Sequence, residues 1–211
     1  LDLKWSKTIL KDSGYRKWNS EHFECFMDLG KLGPDYIPGH AHADTFNFEL
    51  YFKGQPFLVD VGTSTYEKNS KRQLERSTES HNTVKVGGKN SSEVWSGFRV
   101  AKRAKITELT ENKNEFTASH NGYKKLGVVH QRSFKFKQKE ILVIDSLKGK
   151  SLQGVAHFHV HPAISNIILK DQNLEFPVIG LNMNFIGDKI KVKKERYAWA
   201  EGFNKTVEGT V

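Results

Sequence analysis

Apolar and polar residues alternate with a period of two along most of the chain, and this pattern predicts β-strands. It recurs in segments rich in β-branched and aromatic residues, among them FECFMDL, TFNFELYF, HNTVKV, HQRSFKFK, EILVIDSL, IGLNMNFIG and KIKVKK. Turn dipeptides such as Lys53-Gly54 and Gly87-Gly88 separate these segments. The one stretch with helical character is NSKRQLERS at 69–77. We therefore expect an all-β fold, an antiparallel β-sandwich of many short strands.

The 211 residues are enough to bury a sizeable core, and we expect a single domain over residues 1–211. The 33 basic and 24 acidic side chains leave a net charge of +9, which attracts anionic partners. The single cysteine, Cys25, excludes an intramolecular disulfide and a multi-cysteine zinc site. No apolar run has the length of a membrane span, so we expect none. Because the chain begins at Leu1 rather than methionine, we interpret it as part of a longer protein.

Histidines and aspartates mark the ends of several predicted strands. His40, His42 and Asp44 occupy alternate positions before a run of phenylalanines, Asp60 closes the strand PFLVD, and His81 opens HNTVKV. Imidazole and carboxylate are the usual zinc ligands when thiolates are absent, and a site needs three or four of them from separate segments. Ordinary hydrogen bonding on a strand face also explains a His-x-His pattern. Both a metal site and a structural role remain open on this evidence.

Two related patterns need separate explanations. A metal-binding cupin places a glutamate shortly after His-x-His, but here Glu49 follows His42 after six intervening residues, so the cupin interpretation is weakened. A second alternating set in HFHVHP comprises His157, His159 and His161. No carboxylate lies near that set in sequence, which favours a structural role.

Two longer segments carry a family resemblance. PGHAHADTFNFELYFKGQPFLVDVGTSTYE and ERSTESHNTVKVGGKNSSEVWSGFRVAKRA resemble the C-terminal domain of the heparinase II/III family of polysaccharide lyases, most densely from Gly39 to Ala104. The resemblance implies an N-terminal α-helical toroid on the same polypeptide, packed against a C-terminal β-sandwich with the active site in the cleft between them. This chain would be the β-sandwich alone, and we expect it to be inactive by itself.

The resemblance also implies roles for particular residues. His42, Asp60 and His81 match the ligands of one structural zinc ion per chain, and His40 matches a catalytic position that faces the substrate. Asp44 would orient a ligand histidine or cap the strand. A tight hairpin at Lys53-Gly54 sets Asp60 opposite about Phe48, so residues 39–44 must curl back for this site to form.

Four further residues are candidates for substrate binding: Tyr66, Arg76, Trp95 and Arg99. Tyr66 and Arg76 lie between proposed ligands in sequence, while Trp95 and Arg99 belong to the family-like element EVWSGFRV. Exposed aromatic residues, solvated charges and sandwich packing explain the same residues without a substrate. Asn82 follows a proposed ligand and would support it or satisfy backbone groups at the start of a strand.

The resemblance implies a lyase that cleaves a uronic-acid-containing acidic polysaccharide by β-elimination, with heparan sulfate, alginate and other uronate polymers as compatible substrates. A periplasmic or extracellular location follows from this substrate class. A noncatalytic carbohydrate-binding module on a β-sandwich is the alternative. We do not expect nucleic-acid binding, because the aromatic residues follow the periodicity of a core and no RNA-binding motif occurs.

Overall fold

The computed structural model describes residues 5–211; Leu1 and the rest of residues 1–4 lie outside the described part. The first five strands follow one another in order across one antiparallel sheet: β1 (Ser6–Ile9), β2 (Tyr15–Asn19), β3 (Phe23–Asp28), β4 (Phe48–Phe52) and β5 (Gln55–Leu58). Lys53 and Gly54 form the turn between β4 and β5, with left-handed φ angles of 49° and 76°. This is the conformation that a two-residue hairpin turn requires, and it confirms the predicted hairpin.

A short helix, α1 (Ser70–Glu75), follows β5 and precedes a 3-10 turn at Thr78–Ser80. The Asn69 side chain accepts a hydrogen bond from the Arg72 backbone N–H at 2.9 Å, which caps the first helical turn. The helical character predicted for residues 69–77 is thereby confirmed. Three short strands come next: β6 (Val84–Val86), β7 (Glu93–Trp95) and β8 (Arg99–Ala101).

The second large sheet has the strand order β12-β11-β10-β9 and is also antiparallel. Its strands are β9 (Ile106–Glu111), β10 (Glu115–His120), β11 (Val128–Phe136) and β12 (Ile141–Gly149). Strand β13 (Gly154–Ala156) pairs with β6. The remaining strands form a three-stranded sheet and a hairpin: β14 (Ile168–Lys170), β15 (Asn173–Phe176), β16 (Leu181–Asn184), β17 (Arg196–Gly202) and β18 (Lys205–Thr210).

One predicted strand is wrong. The lysine-rich segment KIKVKK at 189–194 belongs to no strand of the described residues, and most of its side chains are exposed. Its first residue, Lys189, has a left-handed φ of 55°. Alternation alone does not hold a segment in a sheet when it gains neither a hydrogen-bonded neighbour nor a buried face.

The core lies between the two large sheets and confirms the β-sandwich. Phe48 of β4 packs against Phe134 of β11 with ring centroids 5.4 Å apart. Phe46, Phe48 and Leu50 are buried in this core. Burial of each such side chain contributes about 1.5–3 kcal/mol. Within residues 5–211, the structure has no helix with the length and apolar character needed to cross a membrane.

Candidate functional site

The segment that carries His40, His42 and Asp44 is a loop between β3 and β4. Because β4 begins only at Phe48, the prediction that these residues alternate at the head of a strand is wrong. Phe46 adopts a left-handed φ of 71° just before the strand. This turn supplies the curl that the hairpin geometry required.

Asn47 follows the turn and lies beside Asp60. Its Nδ2 donates to Asp60 Oδ2 at 2.8 Å, and its Oδ1 accepts from the backbone N–H of Asn82 at 2.8 Å. Asn47 thus ties the start of β4 both to Asp60 and to the residue after His81. Asn47 is a functional residue that was not predicted, although its polar side chain between two phenylalanines was a signal for it.

Asp60 and His81 form a close pair in which only His81 is buried. Asp60 Oδ2 and His81 Nδ1 are 2.6 Å apart, and His81 is only 1% exposed. Burial by itself raises the pKa of Asp60, but the charge and hydrogen bond of His81, with the Gly62 N–H, outweigh burial and lower it to about 2. For His81, burial lowers the pKa and the neighbouring Asp60 outweighs it, so the pKa is raised. Both shifts favour a charge-assisted hydrogen bond between imidazolium and carboxylate.

His42 faces a guanidinium group. Its Nε2 lies 3.2 Å from Arg72 Nη1, and its ring centroid is 5.3 Å from that of His81. Arginine can only donate, so His42 Nε2 is the acceptor and the proton of the neutral ring is on Nδ1. Burial, together with the positive charges of His81, Arg72 and Arg76, lowers the pKa of His42 to about 3. His42 is therefore a neutral acceptor in this arrangement.

The predicted zinc ligands His42, Asp60 and His81 are neighbours but do not converge on one point. Their donor types suit zinc, and the buried Nε2 of His81 has no hydrogen-bond partner among the described residues. However, His42 Nε2 is directed at Arg72, and residues 5–211 contain no group of three His, Cys, Asp or Glu side chains arranged to hold a metal ion. The donor chemistry fits zinc, while the arrangement joins only Asp60 and His81. Zinc binding by the three residues stays a prediction.

Arg76 is completely buried and holds two loops by their carbonyl groups. Its Nη2 donates to the Ala41 carbonyl at 2.8 Å, and its Nη1 donates to the carbonyls of Ser96 at 3.2 Å and Trp95 at 3.3 Å. Ala41 lies between the two motif histidines. The predicted contact of Arg76 with substrate is not what the structure shows, because the guanidinium is enclosed and bonded to backbone. Arg76 instead fixes the loop that presents His40.

Arg72 and Arg76 lie one turn apart along helix α1, so both reach the same side of it. Arg72 Nη1 donates to Thr63 Oγ1 at 3.1 Å, and its guanidinium carbon lies 5.1 Å from the centre of the Tyr66 ring. Arg72 belongs to the segment predicted to be helical, but no role in the site was expected for it. The orientation of so short a helix depends on packing that its own sequence does not specify.

An exposed aromatic face surrounds His40. The His40 ring centroid lies 5.6 Å from that of Tyr66 and 5.4 Å from that of Phe98. Tyr66 stacks on Phe98 at 5.8 Å and lies 6.0 Å from Phe203. All three aromatic side chains are at least 44% exposed. We call His40, Tyr66, Phe98 and Phe203 the aromatic face; it offers flat apolar surfaces beside a group that can donate or accept a proton.

Trp95 and Arg99 form a second exposed pair on the hairpin of β7 and β8. They are opposite each other in the strand register, and both are exposed. The turn between them is anchored from below by Arg76 through the Ser96 carbonyl. Both residues are therefore accessible to a ligand and remain candidates for substrate binding.

Asn82 is fully buried and serves the backbone. Its Nδ2 donates to the carbonyls of Phe48 at 2.8 Å and Val59 at 3.0 Å, while its Oδ1 accepts from the His159 N–H at 2.7 Å. These bonds join β4, the end of β5 and the HFHVHP segment. Of the two roles considered for Asn82, the structure shows the satisfaction of backbone groups.

Asp44 belongs to a group of carboxylates near His81. Burial, followed by the charges of Asp28 and Asp60, raises the pKa of Asp44 to about 7 against the lowering effect of His81. The Asp44 carbonyl accepts from the Asn47 N–H at 2.7 Å, which closes the turn before β4. Its backbone thus supports the turn, and its side chain lies near the imidazole of His81.

The hairpin of β17 and β18 braces the segment after β5. Trp199 Nε1 donates to the Asp60 carbonyl at 3.1 Å, and the Ala200 N–H donates to the Val61 carbonyl at 2.8 Å. The ring of His161 packs against Trp199 at 4.9 Å, in keeping with a structural role for the HFHVHP set. The part that this hairpin plays in the site could not be predicted, because nothing in its own residues points to Asp60.

Comparison with known proteins shows one consistent likeness. The family profile described as "Heparinase II/III-like, C-terminal" matches residues 4–207. The crystal structure of heparan sulfate lyase HepC from Pedobacter heparinus aligns with a TM-score of 0.74 and 20% identity, over 97% of this chain and 32% of that chain. The heparinase III-BT4657 gene product aligns with a TM-score of 0.71 and 21% identity, over 100% of this chain and 33% of that chain.

A crystal structure of heparinase III aligns with a TM-score of 0.73 and 17% identity, over 97% of this chain and 33% of that chain. A search of curated proteins finds no match. At these identities the solved structures show the shared fold. The chain spans about a third of the length of each of these relatives.

Proposed function

The chain belongs to the heparinase II/III-like C-terminal family, and we propose on this premise that it is the β-sandwich part of a polysaccharide lyase. The substrate is an acidic polysaccharide containing uronic acid, cleaved by β-elimination. The names of the solved relatives, a heparan sulfate lyase and heparinases, support a glycosaminoglycan over alginate. Because those relatives are about three times longer, the proposal includes an N-terminal α-helical toroid on the same polypeptide.

The observation that carries this proposal is the exposed imidazole of His40 within the aromatic face. β-Elimination requires neutralisation of the uronate carboxylate, removal of the C5 proton and protonation of the departing glycosidic oxygen. The electrons of the C5–H bond form the C4–C5 double bond as the C4–O bond breaks. A solvent-accessible histidine supplies either a proton transfer or a hydrogen bond to the carboxylate.

The surrounding residues have complementary roles in the proposal. Tyr66 and Trp95 offer rings on which sugar units stack, and Arg99 offers a charge for carboxylate or sulfate groups. Arg76 holds the backbone on which His40 stands, so it acts by positioning. The toroid supplies the remaining catalytic groups, and we therefore propose that the sandwich alone is inactive.

Zinc is a further part of the proposal, and its support is the donor set. His42, Asp60 and His81 would hold the ion, with His42 released from Arg72. Bound there, zinc would join the segment after β5, the segment before β6 and the loop that carries His40. Elimination consumes no water, so we propose a structural role for the ion.

The test is an assay of the full-length protein on heparan sulfate, alginate and other uronate polymers, followed by the ultraviolet absorbance of the new double bond. His40→Ala is expected to lower turnover by about 10²–10⁴-fold, the contribution of a positioned acid or base. His22→Ala is the matched control. His22 lies in the β2–β3 turn before Phe23, whereas the loop that carries His40 begins after Asp28, at the other end of β3. Unchanged turnover in His40→Ala would remove its catalytic assignment. Glycan binding by the wild type without elimination would instead favour the noncatalytic carbohydrate-binding module.

We further propose a periplasmic or extracellular location. The support is the substrate class, since acidic polysaccharides of this kind lie outside the cytoplasm. Fractionation of cells that express the full-length protein, with activity measured in each fraction, tests this location.

A further inference from the structure

A chain of hydrogen bonds, buried except at Asp145, crosses the second sheet. The Gly122 N–H donates to His120 Nδ1 at 3.0 Å, His120 Nε2 lies 3.0 Å from His130 Nδ1, and His130 Nε2 lies 2.7 Å from Asp145 Oδ1. Arg132 grips the same carboxylate with Nε at 2.7 Å and Nη2 at 2.8 Å. His120, His130 and Arg132 are each 0% exposed. None of these residues belongs to the site described above.

The hydrogen bonds of this chain run in one direction. A backbone N–H can only donate, so His120 Nδ1 is an acceptor and the proton of its neutral ring is on Nε2. That proton is donated to His130 Nδ1, which leaves the His130 proton on Nε2, facing Asp145. Burial lowers the pKa of both imidazoles, which keeps them neutral. These proton positions leave only one arrangement of the hydrogen bonds from Gly122 to Asp145. The Asp145 carboxylate in turn fixes the orientation of Arg132.

The remaining nitrogen of Arg132 reaches the candidate site. Its Nη1 donates to the carbonyl of Phe46 at 3.0 Å and to the carbonyl of Asn82 at 2.5 Å. Phe46 is the left-handed residue that turns the chain into β4, and its ring packs against His120 at 4.8 Å. The next residue, Asn47, bonds to Asp60. Asn82 directly follows His81. One guanidinium thus holds the residue before Asn47, which bonds to Asp60, and the residue after His81.

We propose that Arg132, oriented by Asp145, His130 and His120, is a positioning residue that sets the geometry of the Asp60–His81 pair. Its consequence for turnover rests on the proposed lyase function. The planar guanidinium is required because it must grip a carboxylate on one edge and donate to two carbonyls on the other. Lysine keeps the charge but cannot reproduce that fork.

The experiment compares Arg132→Lys with the wild type in the full-length protein, at a temperature where both are folded. Arg16→Lys is the matched control, because Arg16 is 7% exposed on the same sandwich and its guanidinium bonds to Glu111 and the Tyr15 carbonyl rather than to Phe46 or Asn82. Nuclear magnetic resonance of labelled histidine rings reports on His81 directly. We expect displaced His81 signals and a kcat lowered by about 10–100-fold with KM nearly unchanged, because Phe46 ends the loop that carries His40 and a small shift there misplaces the catalytic imidazole.

A purely structural role for Arg132 would lower thermal stability and leave the His81 signals and kcat of the folded protein at their wild-type values; that result overturns the proposal. Asp145→Asn provides a second variant, since it weakens the grip on Arg132 without removing either carbonyl contact. Smaller changes of the same kind support the proposal, and unchanged His81 signals in a folded Asp145→Asn protein overturn it. If the wild type lacks lyase activity altogether, the proposed function fails. The His81 ring signals of the wild type and the two variants would still show whether Arg132 positions the Asp60–His81 pair.

Discussion

Replacement of Arg76 by methionine should loosen the loop that presents His40. The guanidinium donates to the Ala41 carbonyl from Nε at 3.2 Å and from Nη2 at 2.8 Å, and it also donates to the carbonyls of Trp95 and Ser96. Methionine fills a similar space but has no donor. The substitution therefore removes the hydrogen bonds and leaves the packing largely in place.

The magnitude follows from the carbonyls that lose their donors. An unsatisfied buried acceptor costs about 1–3 kcal/mol, and Ala41, which accepts twice, is the most affected. Trp95 and Ser96 lie in a more exposed turn, where water replaces part of what is lost. Removal of the buried Arg76 charge offsets part of this loss, because the variant has no desolvation cost for a cation. We expect a net loss of about 2–4 kcal/mol in the stability of the loop.

Hydrogen–deuterium exchange of the full-length protein measures this loss locally. A change of 2–4 kcal/mol corresponds to about 30–900-fold faster exchange in the peptide that covers residues 39–47, provided that exchange follows local opening. Arg99→Met is the control, because Arg99 is exposed and its replacement should leave that peptide unchanged. Exchange within about threefold of wild type in Arg76→Met would refute the reasoning from unsatisfied carbonyls.

Two other predictions concern protons and metal. Burial lowers the pKa of His120 well below its ordinary value. The contribution of the neutral His120 ring to folding stability is therefore complete above pH 6.5. It is lost as the pH falls below 6.5, because the unfolded chain then binds a proton that the folded protein does not. The stability difference between wild type and His120→Gln should therefore narrow by about 2 kcal/mol from pH 8 to pH 5; a constant difference would show that His120 is not neutral when folded. For zinc, plasma mass spectrometry of full-length protein purified without chelator should find about one ion per chain, lost with thermal stability in His42→Ala. A metal-free wild type would contradict the assignment of His42, Asp60 and His81.

Features of the fold that depend on neighbouring residues could be predicted from the sequence. Alternation with a period of two indicated the strands, the segment NSKRQLERS indicated the helix that became α1, and Lys53-Gly54 indicated a hairpin. Each of these depends on a few consecutive residues. The site motifs were likewise recognised as segments, and the structure brings Asp60 and His81 into contact.

The remaining features depend on contacts between distant residues. Phe46 is bulky and unsuited to a left-handed conformation, and the Arg132 bond that supports it comes from 86 residues away. Whether Arg76 faces the solvent or the core depends on how helix α1 packs. An arginine, with its apolar stem and charged head, occurs in either position. No local pattern distinguishes these possibilities. The sequence therefore predicted Arg76 as a substrate-binding residue and gave no indication of the contacts that Arg132 makes.

The hydrogen bond from Trp199 to the Asp60 carbonyl joins residues that are 139 positions apart. Contacts over such a distance close a long loop of chain, and their entropic cost places them among the later events of folding. During synthesis, Asp60 and the histidines emerge from the ribosome well before the hairpin that braces them. We therefore expect the backbone at Asp60 to reach its final geometry only after the β17–β18 hairpin has been synthesised, although every motif residue is already present by then.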